Sequence, residues 1–154
     1  MEFKYQIYLL VAWKLQQFPL NLTWILTLEY FEGELLSLFE NEEGDFYLYS
    51  WCDCKNSCNR WLVFRITPKS LQEYIERKKT FRDLMLNPVD RFFYALDIDD
   101  DRTIVNSFLV PCDRLPELYI PEVDSFYSFS DLHPATQERD RKIIQEKVYN
   151  FSLI

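Results

Sequence analysis

The sequence predicts an α+β fold: an antiparallel β meander of about six strands, with two short central helices and a C-terminal helix. Three observations predict it. Short runs rich in aromatic and β-branched residues recur from Trp24 onward, separated by acidic or Gly-containing turns. Two stretches in the middle of the chain carry helix-start signals ahead of an apolar stripe. Apolar residues make up 48% of the chain and aromatics 18%, which suits a core built on large rings and excludes disorder. With 154 residues the chain forms one domain. Its parts are an N-terminal docking segment (1–23), a sheet-rich core (24–129) and a C-terminal helix (130–154).

The N-terminal run from Ile7 to Trp13 is about half the length of a membrane span, and Trp13 and Lys14 interrupt it. No small-residue cleavage site follows, so it reads as a buried or docking segment rather than a signal peptide. "TWILTLEYF" and "ELLSLFE" flank a turn at Glu32 and Gly33, and "NEEGD" supplies the next turn, where Gly44 is free to take positive φ. "FYLYSW" then alternates into a hairpin with "RWLVFRI". Setting Trp51 opposite Trp61 places Tyr49 against Val63, Tyr47 against Arg65, Leu48 against Phe64 and Phe46 against Ile66. Both faces of this hairpin are apolar. The same register puts Cys54 opposite Cys58 around a loop of Lys55, Asn56 and Ser57.

Thr67 can cap a helix with Pro68 at its first position and a stripe of Leu71, Tyr74 and Ile75. "TFRD" has capping-box spacing, with Asp83 in place of the usual Glu, and predicts a second short helix ending before Pro88. "RFFYALDI" and "TIVNSFLV" form another hairpin across "DDDR", and the Pro-punctuated stretch 111–129 reads as loop and edge strand. The last helix starts near Pro134 and docks Ile143, Ile144, Val148 and Phe151 on the sheet.

Two negatives bound the function. The chain has only Gly33 and Gly44, so neither a P-loop nor a dinucleotide fingerprint can be written in it. A net charge of −8 opposes binding to nucleic acid through phosphates, while leaving an acidic surface that suits a basic protein.

The candidate sites are few. "WCDCKNSCNRW" offers Cys52, Cys54 and Cys58 as C-x-C-x3-C, with only Cys112 or His133 as a remote fourth zinc ligand; a reversible Cys54–Cys58 disulfide is the redox alternative, and free thiols at a hairpin tip the plainer one. "DIDDDRTI" lacks the glycine and glutamate of a calcium loop, since Arg102 and Phe108 stand at those positions. Its Asp99, Asp101 and Thr103 resemble the D-x-D-x-T motif of haloacid dehalogenase enzymes, but those place it at the end of a parallel strand. The simpler account is an acidic turn. His133, the single histidine, precedes Pro134 and fits a cap better than a catalytic base.

"YFEGELLSLFENEEGDFYLYSWCD", "NRWLVFRIT" and "TFRDLM" together resemble a family of small bacterial proteins of unknown function, over about residues 28 to 110. The resemblance carries structural motifs and no catalytic residue. The functional expectation is therefore a non-enzymatic, cytoplasmic protein-binding or regulatory module without a cofactor. Its partner surface comprises Tyr47, Tyr49, Trp51, Arg60, Trp61 and Arg65; the alternative is that the N-terminal segment or the last helix covers these rings as a second core layer. The rival readings are a metal-dependent hydrolase using the Asp97–Asp101 cluster and a small zinc-binding domain.

Overall fold

The computed structural model describes residues 13–55 and 57–149. Among these residues, seven strands make one antiparallel sheet, in the order β1-β7-β6-β5-β4-β3-β2. They are β1 (Trp13–Lys14), β2 (Thr23–Tyr30), β3 (Glu34–Glu40), β4 (Phe46–Lys55), β5 (Cys58–Ile66), β6 (Phe92–Ile98) and β7 (Ile104–Pro111). Strands β2 to β7 are the expected meander. The added strand, β1, pairs with β7 through Trp13–Leu109 and Lys14–Phe108 and so comes from the N-terminal segment. The rest of that segment before Trp13, and Phe151 of the C-terminal helix, lie outside the described residues.

The turns form where the sequence allows positive φ: Glu32 and Gly33 between β2 and β3, and Gly44 between β3 and β4. The latter is held by Asn41, whose Oδ1 accepts from the Glu43 and Asp45 amides at 3.0 and 2.9 Å. Helix α1 (Pro68–Ile75) has the Thr67 cap and buries Leu71, Tyr74 and Ile75. Helix α2 (Phe81–Leu86) has the full capping box, with the Thr80 amide donating to Asp83 Oδ2 at 2.9 Å and the Asp83 amide donating to Thr80 Oγ1 at 3.1 Å. Helix α3 (Gln137–Ile144) begins three residues after Pro134 and continues through a π turn (Gln145–Tyr149), burying Ile144 and Val148.

Alternation gives the sheet two unequal faces. The inner face carries Leu26, Leu38, Leu48, Phe64, Phe93 and Val110 under α1, α2 and α3, as one continuous core. The segment 111–129 corrects the sequence expectation: it contributes no edge strand. Prolines at 111, 116 and 121 deny it a ladder of amide donors, and it runs as short 3-10 turns (Cys112–Arg114, Glu117–Tyr119, Phe129–Asp131). Its Leu115, Tyr119 and Tyr127 enter the inner core, and the Tyr127 hydroxyl donates to the Leu28 carbonyl at 3.1 Å. The outer face has a smaller buried centre, Tyr47, Val63 and Leu96, against which Phe18, Leu20 and Leu22 of the N-terminal segment pack. Among the described residues, no helix is long and apolar enough to cross a membrane.

Candidate functional site

Cross-strand register builds the aromatic surface of the outer face. Phe39 lies opposite Tyr47, Tyr49 opposite Val63 and Trp51 opposite Trp61. The Phe39 and Tyr49 rings stack at 4.1 Å, and Tyr49 lies 6.5 Å from Trp61. Trp51 is fixed by its indole N–H, which donates to Asn59 Oδ1 at 2.9 Å. The segment 15–22 covers only part of this surface: Tyr47 is buried, while Phe39, Tyr49, Trp51 and Trp61 stay partly exposed. Burial raises the Tyr49 phenol to about 12. Arg65 forms the rim, pairing with Asp45 at 3.2 Å and Asp90 at 3.8 Å while 36% of its side chain stays exposed. The structure thus brings Tyr47, Tyr49, Trp51, Trp61 and Arg65 to one face.

Arg60 does not join them. It faces inward, is 2% exposed, and is held in a forked pair by Asp97 at 2.7 and 3.0 Å. A β-bulge explains the arrangement. Trp51 pairs with Trp61 and Asp53 with Arg60, so Cys52 is an extra residue and Asp53, which strict alternation would turn outward, is turned inward. Arg60 consequently sits between Asp53 on β4 and Asp97 on β6, its direct cross-strand neighbours. Asn106 on β7 donates to Asp97 at 3.1 Å, and the Tyr119 hydroxyl donates to Asp53 at 2.8 Å. One polar row therefore crosses four strands beneath the 3-10 segment. Burial would lower the Arg60 guanidinium, but its bonds to Asp97 outweigh this and raise it; burial, then the bond to Asp53, pushes the Tyr119 hydroxyl up.

The bulge also corrects the hairpin tip. Cys54 lies opposite Asn59 and Cys58 opposite Lys55, so the two thiols are not directly opposed, and Cys52, Cys54, Cys58 and Cys112 are all free. Cys52 is partly buried, its thiol pushed well up first by burial, and its Sγ donates to the Arg60 carbonyl at 3.5 Å. The Asp97–Asp101 stretch is likewise divided. Asp97 belongs to the Arg60 pair, whereas Asp99 closes the β6–β7 turn, its Oδ1 accepting from the Asp101 and Thr103 amides at 3.0 and 2.9 Å. Among the described residues, no three His, Cys, Asp or Glu side chains converge as a metal site. His133 accepts at Nδ1 from the Ala135 amide at 3.0 Å and packs 4.2 Å from Tyr30; the N-cap position of α3 belongs to Thr136.

Sequence reasoning missed the polar row, because its members are spread from Asp53 to Tyr119 and meet only through register. A charged residue inside an otherwise apolar strand, as Arg60 is before "WLVF", is the signal that could have found it. No curated protein and no solved structure matches the chain. A family model matches residues 21–149, the meander together with its covering segment and last helix, and the chain therefore belongs to the family of unknown function DUF6575.

Proposed function

We propose that the chain is a non-enzymatic accessory module that binds a basic segment of another protein on the uncovered part of the outer sheet face. The observation that carries this reading is the row Phe39, Tyr49 and Trp61, still partly open although the N-terminal segment seals the neighbouring Tyr47, Val63 and Leu96. Partly exposed Tyr and Trp rings held rigid by stacking lose little entropy on binding and are favoured contact residues. The patch leads towards the acidic β6–β7 turn: Asn59 pairs with Ile98, and the Cys58 thiol is raised by burial and by the carboxylates of Asp97, Asp99 and Asp100. Rings beside carboxylates favour a lysine or arginine side chain, as does the net charge of −8. The commitment of Asp97 and Asp99 to protein donors supports treating that turn as structural rather than catalytic. Four free cysteines suit a reducing, cytoplasmic setting.

Capture from the native host tests this reading, using the wild type and Trp61→Ala side by side. A partner held by the patch should lose more than about 1 kcal/mol of affinity in the variant, which still unfolds cooperatively. Binding that survives Trp61→Ala unchanged, or loss of the fold with no partner captured, would reject it.

A further inference from the structure

A second bulge sets up a different feature on the inner face. On β2, Thr27 pairs with Ser37 and Glu29 with Leu36, which makes Leu28 the extra residue and turns Glu29 inward beside Leu36. There Glu29 lines a cavity of about 420 Å³ that also receives Cys52, the bulge residue of β4. Bulges on three strands feed one cavity, since Leu35, the extra residue of β3 between the Glu29–Leu36 and Tyr30–Glu34 pairs, lines it too. Its other walls combine rings, Tyr74 and Phe81 from α1 and α2 and Tyr119 and Phe126 from the 3-10 segment, with aliphatic residues such as Leu118 and Ile120, and Asp131 lies beside them. The size is that of a small-molecule site, and the lining is mainly apolar with few charged groups.

The charge of the cavity is the unexplained part. Glu29 has no hydrogen bond or ion pair among the described residues, and burial, then the carboxylate of Asp131, raises its carboxyl above the usual range. Two arginines border the cavity without pairing with Glu29: Arg77 lies over the Phe126 ring at 5.4 Å and donates to the Tyr127 carbonyl at 2.8 Å, and Arg82 donates to the Pro121 carbonyl at 2.9 Å and Glu117 at 2.8 Å. A half-buried, repelled carboxylate is destabilising, and a cation would relieve it.

We propose that this cavity binds a small organic cation, an ammonium or guanidinium on an apolar stem, with Glu29 as its counter-ion and the surrounding rings as its walls. Carboxylates supply the charge-assisted hydrogen bonds, and ring faces attract the cation. This site borders the aromatic surface at Trp51 but uses none of its open row, Phe39, Tyr49 and Trp61, and stands without it.

Titration calorimetry with 2-phenylethylamine, with its neutral counterpart 2-phenylethanol, and with Nα-acetyl-lysine N-methylamide tests the site on the full chain. The ammonium compounds should bind saturably, the tighter of the two about tenfold tighter than the alcohol. The ranking of the free amine against the lysine derivative separates a metabolite-like ligand from a peptide side chain. Glu29→Gln should weaken ammonium binding at least about fivefold while leaving the thermal midpoint equal or higher, since it removes a desolvated, repelled charge. Phe126→Leu, at a 43% exposed position, should weaken it as well without harming the fold. Equal affinity for amine and alcohol, no saturable binding of either ammonium compound, or undiminished binding by both variants would overturn the assignment.

Discussion

The two faces of the sheet are made from the same strands and end in different states. The inner face is closed by three helices and by a proline-spaced segment that brings its own rings and a tyrosine hydroxyl for a buried carboxylate. The outer face receives one short extended segment and keeps part of its aromatic row in water. The difference teaches that hydrophobicity alone does not decide what is buried here. "FYLYSW" sets Phe46 and Leu48 on the inner face and the rings of Tyr47, Tyr49 and Trp51 on the outer, and the number of covering elements that the chain brings to each face decides how far those residues are buried.

The largest expected effect breaks the inner face at its charged row. Arg60→Ala leaves Asp97 and Asp53 buried without their cation and should cost about 3–5 kcal/mol, read from denaturant unfolding. A loss below about 1 kcal/mol would mean that water enters the row and that the inner face is less sealed than its burial implies.

Adjacent residues on β5 give the direct comparison. Leu62→Ala, on the closed side and fully buried, should cost about 2–5 kcal/mol, whereas Trp61→Ala, partly exposed, should cost about 1–2 kcal/mol despite the larger side chain removed. Equal costs would make the outer face a second core and remove the ground for treating it as a contact surface.

The smallest effect sharpens the outer face alone. Tyr49 ionises at about 12, against about 10 for an unperturbed tyrosine, because burial disfavours its phenolate. The folded protein therefore holds a proton that the unfolded chain releases, so this contribution is complete below pH 10 and is lost as pH rises towards about 12. Absorbance at an alkaline tyrosine band should show a late-titrating ring that moves down towards the usual value in Phe39→Ala, which uncovers Tyr49.

Much of the fold was legible in the residues themselves. Thr67, Pro68, Thr80 and Asp83 mark helix starts by local chemistry, and the β4–β5 register follows from aligning Trp51 with Trp61. Legibility stops one residue later. A bulge at Cys52 has no local signature in "WCDCK", since either Cys52 or Asp53 could be the residue that breaks alternation, and the choice is settled by Arg60 and Asp97 across the sheet. For the same reason Arg60 looked like a rim residue beside Trp61, and the thiols of Cys54 and Cys58 looked opposed. The 111–129 segment was readable as proline-broken, but its place over the inner face depends on Tyr119 and Tyr127 finding Asp53 and Leu28.

The β1–β7 pairing has a consequence for the order in which the molecule assembles. Every other strand pair joins sequence neighbours, through short turns except where α1 and α2 connect β5 to β6, so the meander can grow by local pairing at low loop-closure cost, while β1 must find β7 across all the other strands. With two residues, β1 gains its pairing only after β7 is in place. It and the 15–22 segment that follows are therefore the last pieces to dock and the first to release. Amide exchange should report them as a separate opening unit, one that bares Val63 and Leu96 while the inner face stays folded.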